Sequence, residues 1–69
     1  MEDSLDALFK DAPERLTVAD LARILGASRP KIYQWLEEGS IPSYELGSDR
    51  LIFTAEVKET LRKNRHSQN

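Results

Sequence analysis

Ser28, Arg29, Lys31, Tyr33 and Gln34 fall close together within the stretch GASRPKIYQWLEEG at residues 26 to 39. Arg29 and Lys31 supply positive charge, Tyr33 a phenol and Gln34 an amide, groups that pair with a phosphate or with the edge of a base. The stretch reads as a short helix between two glycines, and its charges oppose the helix macrodipole. Arg29 and Lys31 lie in the first turn, while Glu37 and Glu38 lie in the last. Each such misplacement costs about 0.3 to 1 kcal/mol at an exposed site. A helix N-terminus with free amides and two added cations is an anion site, so the misplaced cations are relieved when an anion arrives.

Successive residues set 100° apart put Ile32, Trp35 and Leu36 on one face of this helix. Pro30, Tyr33, Gln34 and Glu37 take the opposite face, with Arg29 and Lys31 at the flanks. The first face is apolar and belongs to a core, which assigns Trp35 to packing rather than to base stacking. Ser28 is the expected N-cap and Gly39 the stop.

The element before it has equally sharp ends. Thr17 is an N-cap with Asp20 three residues on as a capping box, and a hydrophobic staple pairs Leu16 with Leu21. Val18, Leu21, Ala22 and Leu25 form its apolar stripe, and Gly26 is its left-handed cap. Only Ala27 lies between that glycine and Ser28. Helices joined so tightly cross steeply, which is the helix-turn-helix geometry.

Downstream, SYEL and RLIF read as two short strands around a three-residue loop, Gly47-Ser48-Asp49. Alternation makes Leu46 and Ile52 inward partners and turns Glu45, Leu51 and Phe53 outward. Thr54 is the expected cap of a last helix through Lys63, with Val57 and Leu61 inward and Glu59 paired with Lys63. Upstream, Ser4 caps a short helix carrying Leu5, Leu8 and Phe9, ended by Ala12-Pro13. The resulting division is an acidic leader with a short amphipathic helix at 1–15, a domain at 16–63 and a flexible polar tail at 64–69 that holds His66.

A chain of 69 residues is one small domain that buries only about 60% of its unfolded surface. It has no cysteine and one histidine, so no disulfide and no cysteine or histidine zinc site is expected. No apolar run approaches membrane-spanning length and the N-terminus is not signal-like, which points to cytosolic residence. The net charge of −2 divides unevenly: residues 1 to 14 carry −4, and residues 15 to 69 carry +2. A mildly basic domain behind an acidic leader permits a phosphate-binding face. No nucleophile has a base at a workable spacing and there is no phosphate-cradling glycine loop, so the reading is not an enzyme, with no cofactor and no small-molecule substrate.

The order LTVADLARILG, ASRPKIYQWLEEG, IPSYELG, a hydrophobic strand and TAEV resembles the excisionase-type, MerR-like winged helix-turn-helix DNA-binding domains from Leu16 to about Leu61. The resemblance implies a mainly α fold with a small β-hairpin, in which residues 28 to 38 form a recognition helix for the major groove and residues 43 to 53 a wing. The DNA-facing set it implies is Thr17, Ser28, Arg29, Pro30, Lys31, Tyr33, Gln34 and Arg50. Pro30 stands where the family usually has a small hydroxyl residue. Glu45, Asp49 and Leu51 stand where it usually has basic ones, leaving Arg50 in the loop region to meet a phosphate. Leu51 and Phe53, on the outer side of the wing, are candidates to touch a neighbouring copy or the amino-terminal helix. Leu5, Leu8 and Phe9 either fold onto the domain or dock a protein.

Family members are commonly recombination directionality factors, which bind repeated sites cooperatively and bend DNA so that an integrase excises, or small transcription regulators. The expectation is therefore a cytoplasmic, nucleoid-associated protein that binds double-stranded DNA, with other copies of itself and an integrase as further partners. A full-length MerR activator is disfavoured because it needs a long dimerisation helix after the DNA-binding domain. A transcription regulator of the same fold, and a protein-interaction module with reduced DNA contact, are the alternatives.

Overall fold

Thr17 and Asp20 start the helical core as the sequence implies. The Thr17 amide donates to Asp20 Oδ2 at 3.0 Å, and the Asp20 amide donates to Thr17 Oγ1 at 3.0 Å. In the computed structural model, which describes residues 4–64, the elements are α1 (Ser4–Leu8), β1 (Arg15–Leu16), α2 (Val18–Leu25), α3 (Arg29–Glu38), β2 (Tyr44–Leu46), β3 (Asp49–Phe53) and α4 (Thr54–Lys63). Residues 65–69 of the expected tail, with His66, and residues 1–3 of the acidic leader lie outside the described residues. The fold is a winged helix-turn-helix, mainly helical with a small antiparallel sheet.

The turn between α2 and α3 is made by Gly26, whose φ of 67° is the left-handed conformation that L side chains resist. Gly39 closes α3 in the same way at φ 80°. Ser28 caps α3, its Oγ accepting from the Lys31 amide at 3.3 Å.

The sheet has three strands in the order β1-β3-β2, where the sequence suggested two. Arg15 and Leu16 pair with Phe53 and Ile52, and the Thr54 amide donates to the Glu14 carbonyl at 2.9 Å. A two-residue strand carries almost no periodic signal of its own. It forms because Leu16 must be buried and β3 offers it an edge.

The wing's register also differs from expectation. Leu46 pairs with Asp49 across a two-residue turn, Gly47 and Ser48, so Asp49 belongs to the strand instead of the loop. That single step moves every β2 side chain to the other face. Glu45 opposes Arg50 and shares a face with Ile52, whereas Tyr44 and Leu46 lie with Leu51 and Phe53. Leu46, expected inward, is 66% exposed, and Ile52 finds its inward partner in Leu16 instead. The Tyr44 and Phe53 rings meet edge to face, with centroids 6.0 Å apart.

One core holds Phe9, Leu16, Leu21, Ile32, Leu36, Ile41, Ile52 and Val57 buried together, with no buried residue from β2. Leu5, Val18, Ala22, Leu25, Trp35 and Leu61 pack around it as half-buried residues. Phe9 is therefore a core residue and unavailable to dock a partner, while Leu8 at the end of α1 is exposed. α1 is tied to α4 through Asp6, which meets Lys58 Nζ at 2.6 Å and Arg62 Nη2 at 3.1 Å. Thr54 does not cap α4. The N-cap position is Phe53 without a side-chain bond, and the Thr54 hydroxyl donates to the Pro13 carbonyl instead, fastening the segment before β1.

Candidate nucleic-acid interface

Ile32 and Leu36 anchor α3 in the core with almost no exposure, and that anchoring decides what the helix presents to solvent. Arg29, Pro30, Lys31, Tyr33 and Gln34 are all exposed, with Ser28 beside them at the N-cap. The outward face thus carries a cation pair, a phenol and an amide, at the end of the helix whose dipole is positive. Pro30 lies within that first turn, where a missing backbone donor leaves no helical bond unmade. Trp35 is half-buried against the core, as its place on the apolar face implies.

Two of these side chains have partners. Lys31 Nζ lies over the Trp35 ring, 5.7 Å from its centroid. Gln34 Nε2 donates to Glu38 Oε2 at 3.0 Å, and Ser40 Oγ donates to the other Glu38 oxygen at 3.2 Å. Thr17 is exposed at the head of α2 and already engaged in its capping box, which leaves its hydroxyl proton free to donate outward. The Thr17 amide, with further help from Arg23 at 3.5 Å, holds the Asp20 carboxyl below its ordinary range.

The wing and the two helices enclose an open groove of about 500 Å³, bordered by Arg15, Thr17, Tyr33, Asp49, Arg50 and Leu51. It brings the head of α2, the middle of α3 and the wing tip onto one side of the molecule.

Arg50 is not the free wing cation that the sequence suggested. Its guanidinium donates to Glu37 Oε2 on α3 at 2.5 Å and to Ser43 Oγ at 3.3 Å, and it stands 3.6 Å from Glu45 Oε2. Only 20% of its side chain is exposed. Local pattern could not show Glu37 as a partner. A signal existed nonetheless, since an acid in the last turn of a helix lacks local compensation and calls for a cation from elsewhere. Leu51 and Phe53 are half-buried, and the exposed apolar surface of the wing is Tyr44 and Leu46. Tyr44 is also tied to α4: its hydroxyl donates to Glu56 Oε2 at 2.8 Å, and that carboxylate pushes the phenol pKa upward.

A family profile described as a helix-turn-helix domain matches residues 15–65, most of the chain. The chain belongs to the helix-turn-helix domain family. No curated protein and no solved structure matches it. The matched range opens at β1 and runs past the end of α4, so the added strand and the wing fall inside the domain. This helix-turn-helix protein is a DNA-binding protein at the level of its fold. Among its described residues no helix is long and apolar enough to cross a membrane, and no group of three or more acidic or histidine side chains is placed to hold a metal ion.

Proposed function

We propose that the protein binds duplex DNA in a sequence-dependent way as an excisionase-like factor, occupying adjacent repeated sites cooperatively and bending them. α3 enters the major groove by its first turns. Arg29 and Lys31 meet phosphate, Ser28 and Thr17 add hydroxyl donors, and Tyr33 and Gln34 reach base edges. The observation that carries this reading is the opposition of faces on α3, Ile32 and Leu36 buried while Arg29, Lys31, Tyr33 and Gln34 stand exposed. Glu38 at the far end, bonded only to the neutral Gln34 and Ser40, repels phosphate and favours entry by the N-terminal turns.

A few phosphate contacts per protomer give weak single-site affinity with a steep salt dependence, about −0.9 in log–log slope for each phosphate neutralised. Adjacent copies compensate for that weakness, and an integrase is the further partner of the assembly. Titration by gel shift on direct repeats and on a single site tests the reading: tighter binding per copy on repeats is expected, and equal affinity removes the cooperative picture. A transcription regulator of the same fold uses the same interface. A protein-interaction role draws on the exposed Leu8 and Leu46, and predicts a function indifferent to replacement of Arg29 and Lys31.

A further inference from the structure

We propose that Glu37 and Arg50 form a clasp that sets the wing against α3, making Arg50 a positioning residue for DNA binding and not a phosphate contact. The inference rests on the DNA-binding reading above. Between Lys31 and Lys58 the chain has no other Lys or Arg, so whatever Arg50 does fixes the electrostatic character of the wing.

Three oxygens surround the guanidinium: Glu37 Oε2 from α3, Ser43 Oγ from the chain entering the wing, and Glu45 Oε2 from the paired position on β2. The donors of an arginine form a rigid planar fork, and a fork already engaged by carboxylates must release them before it can take a phosphate. Release has a second consequence. It would leave Glu37 and Glu45, whose side chains are 71% and 74% exposed, as uncompensated negative charges beside the incoming backbone. Retention serves both partners, because Glu37 in the last turn of α3 has the helix dipole against it and gains a cation in its place.

The wing has another attachment on its opposite face, from the Tyr44 hydroxyl to Glu56 on α4. Held at α3 by Arg50 and at α4 by Tyr44, its strands keep one orientation relative to the exposed face of α3. The wing then acts as a shaped wall of the groove, and the charge that meets DNA is concentrated on α3.

The test compares the unsubstituted protein with E37Q, R50Q and the double variant on one duplex across a salt series. The two single variants should each weaken binding about two- to fivefold, the range that follows from a partly exposed ion pair. The double variant should be no weaker than the weaker single one, and the salt slope should stay that of the wild type. Arg50 acting on phosphate gives the opposite result: R50Q makes the slope shallower by about 0.9, and E37Q, by freeing the guanidinium, binds as well as or better than wild type. Either observation overturns the proposal. Amide hydrogen exchange at Arg50, Leu51 and Ile52 in the free proteins reads the clasp without DNA. Exchange should rise equally in E37Q and R50Q, and exchange unchanged in both overturns the clasp even where DNA binding holds. A wild-type protein that binds no duplex overturns the DNA reading and the positioning role together, while the exchange result decides the clasp by itself.

Discussion

Lys31 Nζ rests 5.7 Å from the centre of the Trp35 ring, one turn further along α3. A cation on the outer flank of the helix is thereby joined to a half-buried aromatic that packs on the core. The pair gains about 0.5 to 1 kcal/mol at an exposed site. It offsets part of the cost of a cation near a helix N-terminus and limits where the ammonium can move.

Replacement of Arg29 and Lys31 by alanine should abolish tight duplex binding while leaving the fold intact, since both side chains are exposed. The log–log salt slope of any residual binding should be shallower by about 0.9 for each phosphate contact removed. Fluorescence anisotropy with a labelled duplex measures the binding, and circular dichroism checks the fold.

The capping box at the head of α2 should be visible in stability. Thr17→Ala removes the acceptor for the Asp20 amide, and Asp20→Ala removes the acceptor for the Thr17 amide. Each should cost about 1 kcal/mol in urea denaturation. The double variant should cost less than the sum, because the two bonds form one reciprocal unit.

Acid should loosen α1. The Lys58 ammonium, reinforced by Arg62, holds the Asp6 carboxyl below its ordinary value of 3.8. A folded pKa below the unfolded one means that the contribution is full above 3.8 and is lost as pH falls through the lowered value. Asp20 acts in the same direction, its carboxyl held down first by the Thr17 amide. Asp6→Asn should therefore flatten the acid limb of a stability-against-pH profile, with little change in the alkaline limb.

Tyr44 should lose its proton only above the ordinary phenol range. Its bond to Glu56 raises the phenol above 10.0, so the stabilisation is present below that pH and disappears as pH climbs through the raised value. Absorbance at the phenolate band in a Tyr33→Phe background should show Tyr44 titrating above 10.0, and Glu56→Gln should bring it back toward the ordinary value.

Leu21 and Ile32 are fully buried at the contact between α2 and α3. Leu21→Ala or Ile32→Ala should cost about 2 to 5 kcal/mol, a large part of the stability of so small a domain. Thermal unfolding monitored through Trp35 provides the measurement.

Much of the interface was legible in the residues because its signals are local. Thr17 and Asp20 are three apart, Ser28 caps an amide three residues on, and Gly26 and Gly39 each need only their own φ. The burial of Ile32 and Leu36 follows from helical periodicity, and the exposure of Arg29, Lys31, Tyr33 and Gln34 follows with it. Other features had no such signature. Ile41 enters the core from between α3 and β2, outside any periodic run. The wing register went one residue astray because three residues of β2, all exposed, carry no buried face to fix the phase.

The amino-acid sequence alone determined the helix-turn-helix and its outward chemistry, since caps, left-handed glycines and apolar periodicity act within one turn of the residues that cause them. Only the tertiary structure decided that Leu16 forms a third strand, that Phe9 belongs to the core, and that Arg50 turns to Glu37, 13 residues away. Those outcomes depend on which distant surfaces are left with an open edge, an unfilled volume or an uncompensated charge, and such quantities exist only once the chain has folded.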